Sequence, residues 1–337
     1  MILVTGATGI LGRVIVLELL KRGKTVRATK RKSSNLQEVR KSFQFYTETP
    51  NEYFDSIEWI EVDFEDIHSL QNALNGVEEV YHCAAKVSFH PKDEKKMYQT
   101  NIEGTKQLLF ACQNSSVKKF LFVSSIAVLD GLNENGELDE SSDFNSKIDH
   151  SAYAISKHFS EMEVWRASAE GLNTVIVNPG LIIGSGNWKE SSGTLFMEFE
   201  KNDYTFSGGT SYVDVRDVAQ ISIELMEKNI FGERFILVSE SAKYEEIGNS
   251  IRQKLGKSPM KLLPNVVLKV GFYLNLLFGW LFSPLKMANK VNIKSVTEFN
   301  KISNKKIKEK LNYEFIPLEE SLAFHLENYL KRNEVGS

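Results

Sequence analysis

A tyrosine and a lysine one helical turn apart are the residues of this sequence best suited to chemistry. The stretch "SAYAISKHFSE", residues 151–161, places Tyr153 four positions before Lys157 in a helical pattern. Positions i and i+4 project to the same side of a helix. A free phenol has a pKa of about 10, and a neighbouring ammonium stabilises the phenolate and lowers that value. The pair predicts a general acid–base; the alternative is an exposed Tyr and Lys on a surface helix.

Short apolar strands alternate with helical patterns along much of the chain. That alternation indicates a parallel sheet with helices on both faces, and ligands bind at the carboxyl ends of such strands. We therefore expect an α/β fold with a Rossmann-type doubly wound parallel sheet of about seven strands and a smaller, mainly helical C-terminal substrate lobe. The expected strands are residues 1–5, 25–30, 57–64, 78–85, 118–125, 173–180 and 233–239.

A glycine-rich turn joins the first expected strand to the helix after it. In "TGATGILG" the glycines Gly6, Gly9 and Gly12 recur every third residue. A tight turn, close approach to a pyrophosphate and close helix–strand packing each favour a residue without a side chain, and the helix N-terminus offers N–H groups to phosphates. Because a clean strand precedes the turn and a clean helix follows it, we predict dinucleotide binding; a purely structural turn is the alternative.

The end of the second strand indicates which dinucleotide binds. A site for NAD usually offers a carboxylate there to the ribose 2′-hydroxyl. This chain has "TKRKSS" instead, with Lys30, Arg31 and Lys32 and no acid. Arg31 can hold a 2′-phosphate through charge-assisted hydrogen bonds, so NADP(H) is favoured over NAD(H), unless these cations simply face solvent. Asp63, at the end of the third strand, is placed either to accept from the adenine amino group or to cap the next helix.

The pattern loosens beyond the sixth strand, where residues 184–209 are rich in Gly, Ser and Asn and residues 243–333 are mostly helical. This change predicts a second, smaller lobe over the ligand cleft. We expect an NADP(H)-binding domain of residues 1–180 plus 210–240 and a substrate-binding lobe of residues 181–209 and 241–337.

The composition is that of an ordinary soluble globular chain, with 337 residues, 42% hydrophobic and 25% charged. A net charge of −3 gives no general basicity to suggest nucleic-acid binding. Cys83 and Cys112 form no CxxC pair and no metal-ligand spacing, so we expect reduced core residues and no metal site. The sequence opens directly on a strand with no signal peptide, and we expect a cytoplasmic setting.

Several motifs, in their order and spacing, resemble the extended short-chain dehydrogenase/reductases of the NAD(P)-dependent epimerase/dehydratase superfamily. The likeness covers nearly the whole chain, and "TVRATKR" and "VSSIAV" look most like the dihydroflavonol-4-reductase and 3β-hydroxysteroid dehydrogenase branches. The motifs, besides the glycine turn, are "HCAAKV" (82–87), "TNIEGTKQLL" (100–109), "FVSSIAV" (122–128), "YAISK" (153–157), "NPGLIIG" (178–184), "YVDVRDVA" (212–219) and "KLNYEFIPLEESL" (310–322).

The resemblance implies roles for the residues that match these motifs. The catalytic residues would be Ser125, Tyr153 and Lys157: Ser125 hydrogen-bonds the substrate oxygen, and Lys157 also binds the nicotinamide ribose. Ser124 would be a backbone-anchoring neighbour. The full set expected to contact the cofactor is Thr5, Gly6, Thr8, Gly9, Ile10, Leu11, Gly12, Lys30, Arg31, Asp63, Phe64, Ala84, Ala85, Lys86, Asn101, Ser124, Tyr153, Lys157, Pro179, Gly180 and Ile182.

Some of these assignments have structural alternatives. Asn101 matches a family asparagine near the nicotinamide, but it could instead cap the helix that follows it. Pro179 and Gly180 would lie against the nicotinamide by resemblance, or could form a strand-ending turn. We take His82 and His90 as packing or pocket-wall residues. The helices at 101–113 and 153–169 match a pair that forms the dimer interface in many family members, so we expect a homodimer.

The residues after Ser125 limit the reaction. Dehydratases of the family carry an Asp-Glu pair there, whereas this chain has Ile126 and Ala127, and neither can move a proton. We predict an NADP(H)-dependent oxidoreductase that transfers a hydride between nicotinamide and a carbonyl or secondary alcohol of an apolar small molecule, similar to the dihydroflavonol reductases. A nucleotide-sugar epimerase and a non-catalytic NADP(H)-binding sensor remain as alternatives, although such sensors commonly lack the Tyr–Lys pair.

The most unusual stretch is "VVLKVGFYLNLLFGWLF", residues 266–282. It falls short of the roughly 20 apolar residues that span a bilayer, and Lys269 and Asn275 interrupt it. One interpretation is a buried or lid helix that walls an apolar pocket. The other is an interfacial helix in contact with a membrane surface, which the lysines that follow from residue 286 favour. Either interpretation indicates a lipophilic substrate.

Overall fold

A seven-stranded parallel sheet forms the centre of the protein in the computed structural model, which describes residues 1–188 and 191–332. Residues 189, 190 and 333–337, which the expected substrate lobe includes, lie outside the described residues. The strands, in chain order, are β1 Ile2–Thr5, β2 Val26–Lys30, β3 Glu58–Glu61, β4 Glu79–His82, β5 Lys119–Val123, β6 Asn173–Pro179, β7 Leu181–Ile183, β8 Tyr204–Thr205, β9 Gly209–Asp214, β10 Glu233–Leu237, β11 Glu240–Lys243 and β12 Lys261–Leu262.

Helices fill most of the connections between these strands. The chain passes from α5 to α6 through a π-helical turn, Gln99–Glu103, without leaving the helix. The α-helices are α1 Ile10–Lys21, α2 Leu36–Phe43, α3 Pro50–Asp55, α4 Ile67–Ala73, α5 Glu94–Tyr98, α6 Gly104–Gln113, α7 Ala152–Ala169, α8 Leu195–Lys201, α9 Val215–Glu227, α10 Tyr244–Lys254, α11 Asn265–Phe278, α12 Lys290–Thr297, α13 Lys305–Leu311 and α14 Leu318–Lys331.

The order of strands in the central sheet is β10-β6-β5-β4-β1-β2-β3. From β1 the chain moves outward to β2 and β3, and then returns to place β4 on the other side of β1. A crevice opens at the carboxyl ends of the strands where the order reverses, which here is between β1 and β4. The predicted Rossmann-type doubly wound sheet is therefore confirmed, and it gives the glycine turn after β1 a place beside this crevice.

Apolar side chains are buried on both faces of the sheet. One face packs against α1 and α9 through residues such as Val14 and Ile221, and the other packs against α4, α6 and α7 through residues such as Leu108 and Val164. Burial on both sides explains why these strands are near-continuous apolar runs in the sequence. For the same reason, the strands could be predicted from the apolar pattern of the sequence. The strands β3 and β4 end earlier than predicted, at Glu61 and His82.

The second lobe is mainly helical but contains two small sheets that the sequence analysis did not predict. One has the strand order β11-β9-β7, and the other pairs β12 with β8. The strand β9 lies within the range 210–240 that we assigned to the nucleotide-binding domain, yet it pairs only with strands of the small sheet. In the same range, α9 packs on α1 and β10 joins the central sheet. The range is therefore divided between the two sheets, because pairing partners distant in sequence decide where a strand belongs.

Candidate functional site

The glycine turn between β1 and α1 has a separate requirement at each glycine. Gly6 has a positive φ of +65°, and a Cβ there would lie 2.6 Å from the Ala84 backbone nitrogen. A Cβ on Gly12 would lie 2.3 Å from the Gly6 carbonyl oxygen. A Cβ on Gly9 would meet only that same oxygen, at 3.2 Å. The fold itself thus excludes side chains at the first and third glycines, whereas the second borders open space that a ligand can enter.

The start of α1 offers hydrogen-bond donors to this space. Gly9 precedes the helix and no side chain caps it. The N–H groups of Ile10, Leu11 and Gly12 have no acceptor within the part of the chain that the structure describes. Unsatisfied N–H groups at a helix N-terminus bind anions, especially phosphates. The space beside Gly9, which has no side chain, and these N–H donors fit the diphosphate of a dinucleotide.

A buried arginine, which the sequence analysis missed, holds the glycine turn in place. Arg13 is 1% exposed and donates to the carbonyl oxygens of Thr8 and Gly9. Its guanidinium also forms a bidentate pair with Glu38 of α2, at 2.8 and 2.9 Å. Glu38 accepts in addition from the Asn187 backbone N–H at 2.8 Å. The sequence signal is a cation within the apolar first half of α1, residues 10–17.

One of the cations at the end of β2 already forms an ion pair with a carboxylate. Lys30 pairs with Glu61 at the end of β3, with 3.6 Å between the charged atoms. Arg31 is exposed, its backbone N–H donates to the Ser34 hydroxyl at 3.0 Å, and no carboxylate within the described residues pairs with its guanidinium. The structure therefore leaves Arg31 available for an anion, whereas Lys30 already has a partner.

Asp63 lies in an exposed turn after β3. Its carboxylate accepts from the Glu65 backbone N–H at 3.0 Å. Asp66 caps α4 instead, by accepting from the His68 N–H at 3.0 Å. The alternative that Asp63 caps the helix is therefore wrong. The adjacent Phe64 packs against the ring of His82, with centroids 5.8 Å apart, and so lines the wall of the crevice.

His82 is a structural residue, as the sequence analysis expected. It is buried, with Nδ1 2.7 Å from the Thr5 hydroxyl and Nε2 3.0 Å from the Thr105 hydroxyl. Burial, and then the charge of Lys157, lower its pKa to about 3, so the ring is neutral. The Thr5 hydroxyl also accepts from the Ala84 N–H at 3.3 Å. These bonds join the end of β1 to the end of β4.

Asn101 does not cap a helix, contrary to one of our two alternatives. It lies within the π-helical turn, where its amide oxygen accepts from the Lys86 N–H at 2.7 Å and its amide nitrogen donates to the Lys86 carbonyl at 3.0 Å. The amide nitrogen also donates to the Ser156 hydroxyl at 2.9 Å. Ser160 donates to the Asn101 carbonyl at 2.8 Å. Asn101 therefore links the loop that contains Ala85 and Lys86 to α7.

The start of α7 positions the tyrosine and the lysine. The Ser151 hydroxyl accepts from the Ala154 N–H at 3.1 Å and so caps the helix just before Tyr153. At the end of β5, the Ser125 hydroxyl caps a 3₁₀ turn, Ile126–Val128, by accepting from the Ala127 N–H at 3.2 Å. Both caps hold their first turns, and the 3₁₀ turn that follows Ser125 packs against α7.

The electrostatics of Tyr153 differ from the sequence expectation. We expected Lys157 to lower the pKa of the phenol. Instead, burial raises the pKa of Tyr153, and a smaller lowering comes from hydrogen bonding with the side chain of Ser125. The physical reason is that Tyr153 is half-buried in the protein and packs against Phe89, with ring centroids 6.1 Å apart. The phenol is therefore protonated at neutral pH.

Lys157 is buried and its ammonium is directed at the end of β5. It donates to the Val123 carbonyl at 2.6 Å and lies 4.5 Å from the centroid of the Phe122 ring. Burial lowers the pKa of Lys157 to about 8, against the opposing effect of Glu161. The side chain is still mostly an ammonium at neutral pH.

A buried carboxylate, which the sequence analysis also missed, lies one helical turn beyond Lys157. Glu161, one helical turn further along α7, accepts from the Asn178 amide at 2.6 Å, and burial raises its pKa. The same amide donates to the Ser125 carbonyl at 3.1 Å. Arg234 of β10 approaches Glu161 at 3.8 Å. Ser124 is buried and its N–H donates to the Val177 carbonyl at 2.8 Å; the anchoring role expected for this residue stays a prediction.

Gly180 is required by the packing of the protein itself. A Cβ there would lie 2.4 Å from the Ser211 carbonyl oxygen of β9, and its N–H donates to the Leu237 carbonyl at 3.0 Å. Pro179 is the last residue of β6 and is aligned with Leu237 of β10. Ile182 lies in β7, opposite Val213. The strand-ending turn therefore explains Pro179 and Gly180 without a ligand, and a contact with nicotinamide stays a prediction for these three residues.

Comparison with known proteins places the chain in a family. Residues 2–236 match the family described as NAD dependent epimerase/dehydratase. Sterol demethylase protein B of Methylococcus capsulatus is 30% identical over 248 residues, which are 73% of this chain and 71% of that protein. Dihydroflavonol 4-reductase of Arabidopsis thaliana is 27% identical over 266 residues, which are 74% of this chain and 68% of that protein.

A solved structure with the same fold is that of UDP-glucose 4-epimerase from Thermotoga maritima, in which UDP-glucose is present. The TM-score is 0.77 at 22% identity, over 98% of this chain and 99% of that one. These matches confirm the resemblance that the motifs indicated. The chain belongs to the NAD dependent epimerase/dehydratase family, whose members are NAD(P)-dependent enzymes.

Proposed function

We propose that this protein is an NADP(H)-dependent oxidoreductase that transfers a hydride between nicotinamide and the carbonyl or secondary alcohol of an apolar small molecule. The observation that carries the proposal is the packing of α7, which contains Tyr153 and Lys157, against the end of β5. Lys157 donates to the Val123 carbonyl at 2.6 Å, and the 3₁₀ turn that follows Ser125 contacts α7. Two hydroxyls and a cation at the carboxyl end of β5 can bind one substrate oxygen and exchange a proton with it.

Each of the three side chains has a distinct part in this chemistry. When bound, the nicotinamide supplies or accepts the hydride. Because burial raises the pKa of Tyr153, the phenol holds its proton at neutral pH and can give it to a substrate oxygen during reduction. Ser125 donates a hydrogen bond to the same oxygen. Lys157, charged below its pKa of about 8, stabilises the phenolate that the transfer leaves and binds the ribose hydroxyls.

The preference for NADP(H) rests on Arg31. Its exposed guanidinium has no carboxylate partner among the described residues, and it follows β2, where the adenosine ribose of a dinucleotide lies in such folds. A guanidinium with unused donors matches the charge and shape of a 2′-phosphate. Glu61, at the end of the neighbouring strand β3, pairs with Lys30.

An apolar substrate is supported by the side chains around Tyr153. Phe89 packs edge-on against its ring and is half exposed, and Val87 is also exposed. Ile126 and Ala127 follow Ser125 and place no acid in the 3₁₀ turn, which argues against dehydration. The names of two relatives, a dihydroflavonol reductase and a sterol demethylase protein, agree with a lipophilic substrate class.

The experiment that tests this proposal is a comparison of two substrate panels. NADPH oxidation is measured with apolar ketones and aldehydes, and interconversion of UDP- and GDP-sugars is measured in parallel. We expect ketone-dependent oxidation of NADPH and no sugar conversion. Sugar epimerisation without net use of the cofactor would replace the proposal with an epimerase. Tight NADPH binding with no turnover in either panel would replace it with a sensor.

A further inference from the structure

An exposed apolar hairpin stands out on the second lobe. It consists of residues 265–287, that is, helix α11 and the 3₁₀ turn Ser283–Met287 that packs back on it. Eleven of the 24 large apolar side chains exposed among the described residues lie between positions 266 and 282, with Trp280 at 76% and Leu277 at 64%. Residues 266–282 therefore do not form a buried helix, which leaves the lid helix and the interfacial helix of our two interpretations. Concentrated apolar exposure of this kind marks a surface that contacts a partner.

The helix of this hairpin has one half-buried face toward the returning 3₁₀ turn and Ala288, and one face toward solvent. The half-buried residues Leu268, Gly271, Phe272 and Asn275 recur at helical spacing, and a Cβ on Gly271 would lie 3.4 Å from the Ala288 Cβ. The opposite face is exposed and apolar; it contains Val266, Val270, Tyr273, Leu274 and Leu277. Since the returning segment covers the half-buried face, the outward face is the one available to an external apolar phase.

The sequence on both sides of the hairpin is basic, although Arg252, Lys290 and Lys294 pair with Asp203, Asp149 and Glu298. Residues 247–297 contain eight Lys or Arg and no Asp or Glu. Lys269 is exposed beside the outward face and Lys286 lies in the 3₁₀ turn, and neither has a carboxylate partner within the described residues. Lys290 follows, 3.3 Å from the exposed Asp149. Apolar side chains bordered by cations complement a layer of hydrocarbon chains beneath anionic headgroups.

We infer that the apolar hairpin docks on the surface of a lipid bilayer that carries anionic headgroups. Trp280, Leu281 and Phe282 form the tip of the hairpin, and they would enter the boundary between headgroups and acyl chains while the lysines remain among the headgroups. None of the helices in residues 1–188 and 191–332 combines the length and the apolar character that crossing a bilayer requires. The contact is therefore interfacial.

The hairpin is connected to the candidate active site. Ser283 bonds to His90, whose Nε2 lies 3.1 Å from the Ser283 carbonyl oxygen. Asn292, just past the hairpin, donates to the Phe89 carbonyl at 3.2 Å, and Phe89 packs on Tyr153. A docked hairpin would place the Tyr153 side of the crevice close to the bilayer, where an apolar substrate dissolves. This last link, unlike the docking, rests on the proposed function.

Flotation with vesicles tests the docking. We expect the protein to float with mixed vesicles of phosphatidylcholine and phosphatidylserine and to float much less with phosphatidylcholine alone. The double variant Leu276→Asp/Leu277→Asp should stay at the bottom. Leu330→Asp, which changes a Leu of similar exposure on α14, should float like the wild type. Lys269→Gln/Lys286→Gln should reduce the partition coefficient about tenfold or more.

A fluorescence measurement identifies the contact site. Bromine-labelled lipid should quench the emission of Trp280, and Trp280→Phe should bind vesicles but lose that quenching. All variants should bind NADPH like the wild type, which shows that a loss of flotation is not caused by unfolding. If the proposed function fails in the substrate assay, the flotation result is still expected to hold. The inference is overturned if the wild type stays at the bottom with mixed vesicles, or if the Leu276→Asp/Leu277→Asp variant floats. It is also overturned if the wild type forms a dimer without lipid and the only effect of the Leu276→Asp/Leu277→Asp variant is to dissociate that dimer. The hairpin would then contact a second copy of the chain.

Discussion

The ammonium of Lys157 donates to the backbone carbonyl of Val123 at 2.6 Å, and this bond joins the helix of the Tyr–Lys pair to the strand that ends beside Ser125. The lysine is buried, so its charge is held in the protein at a cost in free energy. A residue kept charged in such a place, at the edge of the cofactor crevice, is characteristic of a functional site.

Lys157→Met should separate activity from stability. We expect turnover to fall by about 10²- to 10⁴-fold, because the phenolate left by proton transfer loses its cation. The free energy of unfolding at neutral pH should not fall by more than about 1 kcal/mol, since removing a buried ammonium offsets the lost hydrogen bond. Single-turnover kinetics and urea unfolding measure the two effects.

The same lysine predicts a pH dependence of stability. Its pKa is about 8 in the folded protein, below the ordinary 10.5, so the unfolded chain binds more protons between these values. The contribution of Lys157 to the free energy of unfolding should therefore rise as pH increases from 8 towards 10.5. Lys157→Met should lack this rise in urea titrations. An identical pH profile in both proteins would contradict the assigned burial of the charge.

Alanine at Gly9 should affect cofactor binding, whereas alanine at Gly12 should affect stability. Gly9 has φ −76° and ψ 169°, which alanine adopts without strain, so Gly9→Ala should fold normally. It should weaken NADPH binding by about tenfold or more, because its methyl group occupies the space of the diphosphate. Gly12→Ala should instead lower the free energy of unfolding by about 2 kcal/mol, since its Cβ would lie 2.3 Å from the Gly6 oxygen. Thermal unfolding and NADPH titration distinguish these results; equal effects of the two changes would refute the separate roles.

Arg31→Ala should change the cofactor preference. We expect the KM for NADPH to rise by about 10- to 100-fold, because a charge-assisted contact with the 2′-phosphate is lost, while the KM for NADH stays nearly constant. Lys41→Ala on α2 removes the same charge from another exposed position and should change neither constant. Steady-state kinetics with both cofactors measure the ratio. A parallel rise for NADPH and NADH would mean that Arg31 does not contact the 2′-phosphate.

His82 should make the protein sensitive to mild acid. Burial holds its pKa at about 3 in the folded state against an ordinary 6.5, so the unfolded chain binds the extra proton between these values and stability falls with pH in that window. The loss attributable to this group is about 1.4 kcal/mol between about pH 7.5 and pH 5.5. At about pH 7.5 the free energy of unfolding of His82→Gln should be lower than that of the wild type. Between about pH 7.5 and pH 5.5 it should fall less than in the wild type, and urea unfolding at the two pH values measures both effects.

The elements that the sequence predicted are those with local signals. Buried parallel strands are continuous apolar runs, and the glycine turn is fixed by positions three residues apart, so both were readable. The bond between Asn178 and Glu161, the clamp of Arg13 on Glu38 and the small sheet containing β9 join distant segments, and nothing local signals them. The raised pKa of Tyr153 was missed for the same reason, because burial depends on tertiary packing.

Sequence composition alone could not decide how residues 266–282 are exposed or whether the protein forms a dimer. The sequence of 266–282 is compatible with a buried or lid helix and with an interfacial helix, and only the fold shows which face is exposed. A homodimer through α6 and α7 stays a prediction. Phe110, Phe159 and Met162 on these helices are each about half exposed, which is what such an interface needs.

The most direct test of the account is the activity of Tyr153→Phe with a reducible ketone and NADPH. The variant removes one oxygen atom and keeps the ring that packs on Phe89. The account predicts that NADPH binding remains within about twofold of wild type while turnover falls by about 10²-fold or more, because no other group supplies the proton. A Phe variant that reduces the ketone at the wild-type rate would contradict the central role of the phenol.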